Sequence, residues 1–154
     1  MAPTETWEAH LPQQRPLKHH LAILQRPYLD LIIAGKKTVE CRLGKANYPP
    51  HNQVCPGDLL WLKESCGPIH AVVQAAQAET FLLTGETSLE QIRQNWNDRV
   101  LAPLDFWQLR YDANAATLIT LDKLCIFKPF QVIKKDRRAW VVLRQPPVPG
   151  QAVR

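Results

Sequence analysis

The sequence predicts one domain of the α+β class, a small mixed β-barrel with flanking helices. Three observations lead to this fold. The chain has 154 residues, 45% of them hydrophobic, which is enough apolar material for a single core. Segments with strand character outnumber those with helical character. The strands also do not alternate with helices, as those of a parallel sheet would.

The domain begins with a short strand at residues 21–24, followed by a helix of about two turns. Pro27 suits a first helical position, where its missing N–H is not needed, and Gly35 suits a left-handed cap at the helix end. Between them the apolar residues recur at helical spacing, at Leu29, Ile32 and Ile33. The helix therefore ends directly before a run of charged residues.

Residues 38–43 change to a period of two, which is typical of a strand. One face carries Val39, Cys41 and Leu43, and the other carries Thr38, Glu40 and Arg42. This pattern predicts a strand with one buried side and one polar side.

The rest of the chain supplies most of the strands. A loop rich in turn-forming residues, 45–58, precedes two segments of strand character, 59–65 and 68–81. Leu89, Ile92 and Trp96 then lie on one face of a helix. A less regular helical stretch follows at 103–110, and strand character returns at 116–127 and 138–144.

The two ends of the chain differ from this body. Residues 1–17 and 145–154 are rich in proline or polar residues and lack periodicity, so we expect flexible tails on either side of a domain at 18–144. No apolar run is long enough to span a membrane, and the first twenty residues lack the apolar middle of a secretory signal. We expect a soluble, cytoplasmic protein.

The cysteines and the absent motifs exclude several kinds of chemistry. No C-x-x-C pair occurs, so we expect four reduced, mostly buried thiols at Cys41, Cys55, Cys66 and Cys125. The chain also lacks the phosphate-binding loop, the dinucleotide fingerprint, the zinc-protease motif and the nucleophile elbow. We expect neither a metal nor a cofactor.

The net charge of +5 is unevenly distributed. Four cations within five residues are offset only by Asp136; they are Lys134, Lys135, Arg137 and Arg138. Such a run favours a polyanionic partner, most commonly nucleic acid. Trp140 follows at once, and cations beside an aromatic ring suit phosphate contacts together with stacking on an unpaired base. The alternative is a solvated turn with Trp140 in the core.

Lys37, Glu40 and Arg42 form a second charged cluster, on the polar face of the predicted strand. One interpretation is an exposed strand with a surface ion pair, which contributes well under about 1 kcal/mol to stability. The other is a polar pocket at the barrel mouth. There Lys37 supplies a cation, Glu40 an acceptor or a base, and Arg42 a planar fork of donors for phosphate or a base edge.

The stretch "LIIAGKKTVECRL" resembles the signature of the ASCH domain family, in which an apolar helix ends in G-x-K-x-x-E-x-R. Here the signature residues are Gly35, Lys37, Glu40 and Arg42. The segments "GDLLWLKES" and "KKDRRAWVVL" resemble further parts of the family, so the likeness spans most of residues 21–143. It implies a PUA-like barrel and a cleft beside the signature through which the family is thought to bind or act on RNA.

The resemblance also implies possible enzymatic activity. One branch of the family contains a small amidohydrolase that deacetylates acetylcytidine with a lysine, a threonine and a glutamate. Its lysine corresponds to Lys37, but Glu40 stands where its threonine would be, and the distant glutamate has no clear counterpart. A carboxylate would act as base or ligand, whereas a threonine activated by lysine is a nucleophile. The other branch resembles single-strand ribonucleases, which need no threonine.

The leading hypothesis is a domain that binds RNA, single-stranded nucleic acid or a modified nucleoside. Lys37, Glu40 and Arg42 would line the cleft, the basic run would hold the backbone, and Trp140 would stack on an unpaired base. The alternative is a hydrolase of the same fold, with Lys37 and Glu40 as its catalytic groups. A third possibility is a module that binds an acidic protein. The oligomeric state is open.

Overall fold

The computed structural model describes residues 16–84 and 86–154. Within these residues six strands and three helices follow one another in the α+β arrangement that the sequence predicts. They are β1 (His19–Leu24), α1 (Arg26–Ile33), β2 (Val39–Gly44), β3 (Leu59–Glu64), β4 (Ile69–Leu82), α2 (Glu86–Val100), α3 (Leu104–Gln108), β5 (Ala115–Phe130) and β6 (Trp140–Leu143). Residues 1–15 of the predicted N-terminal tail lie outside the described part.

The strands form one sheet in the order β2-β5-β4-β3-β1-β6. β1 and β3 are parallel, and the other neighbouring pairs are antiparallel. β4 and β5 are long strands whose pairing shifts register at three places, and such irregularities bend a sheet. The sheet is therefore curled into a half-barrel, which confirms the predicted barrel-like fold and leaves β2 and β6 as its edges.

The helices cover two apolar clusters of the sheet. α1 buries Leu29 and Ile32 against strands at the centre of the sheet, while α2 and α3 pack against β2 and β5. The second cluster contains the residues Leu89, Ile92, Val100 and Trp107. The helix faces predicted from the 3.6-residue period are thus the buried ones.

The end of α1 follows the prediction closely. Pro27 lies in the first turn, and Gly35 adopts the left-handed conformation with φ of 75°. The carbonyl oxygen of Leu31 accepts hydrogen bonds from the backbone N–H groups of Lys36 and Lys37, at 2.9 and 3.0 Å. This cap turns the chain sharply and directs it into β2.

One prediction for β2 is wrong. Its first half is buried on both sides, since Val39, Glu40 and Cys41 are all buried. Val39 and Cys41 pack under α2, while Glu40 lies on the opposite face among other polar side chains. The interpretation of this strand as a solvent-exposed ion pair is excluded by the same burial.

Residues 145–154, expected from the sequence to form a flexible tail, lie along the segment after β5. Ile133 pairs with Ala152, and the backbone N–H of Gly150 donates to the carbonyl oxygen of Gln131 at 2.7 Å. Val153 packs against the apolar cluster of Leu21 and its neighbours. The last ten residues thus extend the folded domain in this structure.

The four cysteines are all free, but the expectation that most are buried is wrong. Cys41 is buried and Cys55 is half-buried, whereas Cys66 and Cys125 are exposed. Among the described residues, none of the helices is both long enough and apolar enough to cross a bilayer.

Candidate ligand-binding cleft

A cleft of about 790 Å³ opens beside the charged part of β2. This volume lies in the range of sites for small molecules and cofactors. Its walls come from β2, the β1–α1 junction, α3, the loop 45–58 and the residues before β6. Polar and aromatic side chains on these walls include Tyr28, Lys37, Glu40, Arg42, Lys45, Tyr48, His51, Phe106, Arg110, Arg138 and Trp140.

Lys37 lies at the base of this cleft and is 2% exposed. Its ammonium donates to the carbonyl oxygens of Val39 at 2.9 Å and Val100 at 2.7 Å. It also lies 3.7 Å from Oε1 of Glu40 and over the ring of Tyr28. Because most of its donor capacity is used by the protein, Lys37 joins β2 to the end of α2 and holds a buried positive charge beside Glu40.

Arg42 links the two margins of the open sheet. Its guanidinium donates to the carbonyl oxygen of Ile23 in β1 at 2.8 Å and to that of Ala139, next to β6, at 3.2 Å. Since β2 is one edge of the sheet and β6 the other, these bonds close the seam of the half-barrel. The planar fork of donors is thus directed at backbone oxygens in this structure.

Glu40 lies between these two cations and is 6% exposed. Its Oε1 accepts a hydrogen bond from the backbone N–H of Cys41 at 2.9 Å. Its Oε2 is buried, lies 3.7 Å from a guanidinium nitrogen of Arg42, and has no hydrogen-bond partner in the part of the chain described. A buried carboxylate oxygen without a partner is costly, and a donor that reached it from the cleft would remove that cost.

The basic run is only partly at the cleft. Of its four cations, Arg138 lines the cleft, while the described lining does not include Lys134, Lys135 or Arg137. Arg138 forms a bidentate pair with Asp136, with contacts from 2.6 to 3.1 Å. Hydrogen bonds from Arg138 lower the pKa of the Asp136 carboxyl to about 2. Lys135 and Arg137 are exposed, so their positive charges are in solvent.

Trp140 is buried, with 2% of its surface exposed, although it contributes to the cleft wall. Its indole N–H donates to Nδ1 of His20 at 3.0 Å, and Nε2 of His20 contacts the carboxylate of Asp58 at 2.9 Å. The guanidinium of Arg42 lies over its ring, 5.1 Å from the centroid. A ring so enclosed cannot stack on an unpaired base without rearrangement, which corrects the stacking role expected for it.

Several cleft residues were missed by the sequence reasoning. Tyr28 and Phe106 form a tilted aromatic pair, with ring centroids 6.3 Å apart, and Arg110 lies over the ring of Phe106. Lys45 donates to the carbonyl oxygen of Asp112 at 2.8 Å on the same rim. These residues come from separate elements, so no spacing in the sequence brings them together. His51, in the loop 45–58, was missed for the same reason.

A curled six-stranded half-barrel with three helices and a polar cleft beside one edge defines a PUA-like α+β domain. The family model for the ASCH domain matches residues 23–120, and the chain belongs to the ASCH domain family. The match contains α1, β2 and the signature residues. It ends before the basic run.

Solved structures of similar fold agree with this assignment. The ASCH protein from Zymomonas mobilis aligns with a TM-score of 0.58 and 14% identity, covering 73% of this chain and 72% of that chain. Two single-residue variants of the same protein each align with a TM-score of 0.59 and 14% identity. Each alignment covers 73% of this chain, and the two alignments cover 73% and 75% of the variant chains. At this identity the likeness concerns the fold. No curated protein matched this chain in a sequence search.

Proposed function

We propose that this chain binds RNA, or a modified nucleoside, in the cleft beside Lys37, Glu40 and Arg42. The observation that carries the proposal is the unpartnered Oε2 of Glu40, an acceptor buried in a cleft of nucleotide-compatible size. The nucleic-acid role generally suggested for ASCH domains agrees with it.

The chemistry of the acceptor favours a nucleobase. The amino groups of cytosine and adenine and the N–H edge of guanine are donors, and a carboxylate accepts from such groups. A ligand N–H directed at Oε2 would remove the cost of leaving that oxygen unpaired. Lys37 and Arg42 support this contact indirectly, because their hydrogen bonds to backbone oxygens fix the two positive charges on either side of Glu40.

The rim suits the rest of a nucleotide. Tyr28 and Phe106 offer aromatic surface, since both are only partly buried. Around them lie the cations Lys45, Arg110 and Arg138, which can contact phosphate. In a longer strand the exposed Lys135 and Arg137 would contact further phosphates outside the cleft. Such binding weakens as salt concentration rises.

The test is the substitution Glu40→Gln. The N–H of Cys41 selects the amide oxygen of the new side chain, so its NH2 group takes the place of Oε2 and presents donors where the ligand needs an acceptor. We expect affinity for the preferred single-stranded RNA or nucleoside to fall at least about tenfold, measured by fluorescence anisotropy or calorimetry. Glu79→Gln, an exposed glutamate that does not line the cleft, is the matched control.

Two results would contradict the proposal. The first is an intact protein that binds no RNA, no single-stranded DNA and no nucleoside. The second is an affinity that Glu40→Gln leaves at the value of the control variant.

A hydrolase remains the second candidate, with Lys37 and Glu40 as its catalytic groups. The contact of 3.7 Å between their charged atoms favours it, because the pair combines a cation with a carboxylate beside a cleft. Incubation of the purified protein with acetylcytidine and with single-stranded RNA tests it. Turnover that Lys37→Ala abolishes, in a variant shown to be folded, would establish the enzyme. Equal background in both proteins would leave the binding function.

A further inference from the structure

A second buried polar group lies in the same cleft, at the side chain of His51. The ring is 4% exposed, and its Nδ1 lies 2.7 Å from Oγ1 of Thr117. The hydroxyl of Thr117 in turn lies 2.8 Å from that of Thr80, which accepts the backbone N–H of Asn52 at 3.2 Å. A chain of hydrogen bonds from Thr80 on β4 and Thr117 on β5 therefore holds the imidazole in place.

The pairing of the strands shows where His51 lies relative to Glu40. Thr117 is the register partner of both Arg42 and Thr80, and directly paired residues of antiparallel strands share a face. Glu40 and Arg42 also share a face, because they are two residues apart on β2. The ring of His51 thus stands over the same face of the sheet as the carboxylate of Glu40.

The ring of His51 lies beside two positions on this face. Its Nδ1 is at Thr117, which pairs with Arg42, and its Nε2 would lie 3.4 Å from a Cβ added to Gly44, the last residue of β2. Gly44 follows Glu40 by four residues, a span of about 13 Å along a strand. This length exceeds a base alone and suits a base joined to its sugar and phosphate.

Within residues 16–84 and 86–154, Nδ1 of His51 contacts Thr117 and Nε2 has no hydrogen-bond partner, so Nε2 is the ring nitrogen open to a ligand. Burial lowers the pKa of His51, so the imidazole is neutral at neutral pH. When Thr80 donates to Thr117 and Thr117 donates to Nδ1, both hydroxyl hydrogens have an acceptor; we assign this arrangement, in which the ring proton lies on Nε2. Gly44 keeps the space beside this donor open, and its backbone is not in the left-handed region that favours glycine.

We propose that His51 is the phosphate contact of the cleft: its Nε2–H donates to a phosphate oxygen of a nucleotide whose base lies at Glu40. This inference rests on the proposed function and narrows its ligand from nucleosides in general to a phosphorylated nucleotide or a nucleotide unit of RNA. The ligand then spans the polar face of β2 from its beginning to its end.

The experiment compares the four ribonucleosides with their 5′- and 3′-monophosphates by calorimetry. We expect the intact protein to bind at least one monophosphate about tenfold more tightly than the parent nucleoside, because hydrogen bonds to charged groups are among the stronger ones. His51→Ala should remove that difference. His70→Ala, a histidine outside the cleft lining, is the control.

A second variant keeps the test valid if His51→Ala does not fold. Gly44→Ala preserves every titratable group and places a methyl beside Nε2, so it should also reduce the preference for the monophosphate. A preference retained by Gly44→Ala and by folded His51→Ala overturns the role of His51, while the proposed function stands. An intact protein that binds none of these ligands and no RNA overturns both.

Discussion

The residues 36–42 and the run 134–138 are both dense in charge, yet they end in opposite environments. In the first, the side chains of Lys37 and Arg42 turn inward and donate to backbone carbonyl oxygens. In the second, Lys135 and Arg137 are exposed. The difference arises from the neighbouring elements, since α2 and the sheet margins surround the first segment.

The number of cations in a segment therefore does not measure the charge that the segment offers to a ligand. Lys37 and Arg42, on either side of Glu40, hold the backbone of three elements together, and one oxygen of the Glu40 carboxylate has no hydrogen-bond partner among the described residues. The run after β5 exposes positive charge to solvent. Its attraction for a polyanion extends over a distance that becomes shorter as salt concentration rises. Under the proposed function, the first segment would recognise the ligand and the second would attract it.

The largest effect should follow from removing the buried cation with Lys37→Met. The substitution leaves the carbonyl oxygens of Val39 and Val100 without this donor and weakens the charge balance of Glu40. We expect a loss of about 3 kcal/mol in the free energy of unfolding, measured by urea denaturation. Lys36→Met, at the exposed neighbouring lysine, should change it by less than about 0.5 kcal/mol.

Equal effects of these two substitutions would contradict a structural role for the buried ammonium of Lys37. They would mean that the ammonium of Lys37 contributes no more to folding than a solvated lysine does. The hydrogen bonds of Lys37 to Val39 and Val100 would then add nothing measurable to the free energy of unfolding.

A smaller effect is expected for Arg42→Lys. One ammonium cannot reproduce a fork that reaches Ile23 and Ala139 on the far side of the seam, so at least one carbonyl oxygen loses its donor. We expect a loss of about 1 to 2 kcal/mol in the free energy of unfolding. Arg144→Lys, at an exposed arginine, is the control, and a loss of the same size there would contradict the assignment of Arg42 to the seam.

Local rules explain why much of the fold could be predicted from the sequence. The end of α1 depended on Gly35 and on apolar spacing, both of which are properties of a few neighbouring residues. The burial of both faces of β2 was missed because it depends on α2, more than forty residues later. The place of residues 145–154 depends likewise on their pairing with the segment after β5.

The candidate cleft was predictable only where its residues are close in sequence. Glu40 could be singled out because it lies within the signature stretch. The hydrogen bonds of Arg42 to the carbonyl oxygens of Ile23 and Ala139 could not be predicted. His51 follows two prolines in a loop, and no spacing connects it with Thr117 on β5. Sites assembled across a sheet need the register of the strands, which periodicity does not provide.

The smallest change in stability should accompany the double substitution of Lys135 and Arg137 by glutamine. Both side chains are exposed, so the free energy of unfolding should stay within about 0.5 kcal/mol of the original value. If they contact phosphates of a bound single strand, each loss should reduce the slope of log affinity against log salt by about 0.7. Affinity for a nucleoside, which carries no phosphate, should not change. A slope that remains unaltered would exclude Lys135 and Arg137 from the nucleic-acid interface and leave the cleft as the proposed binding site.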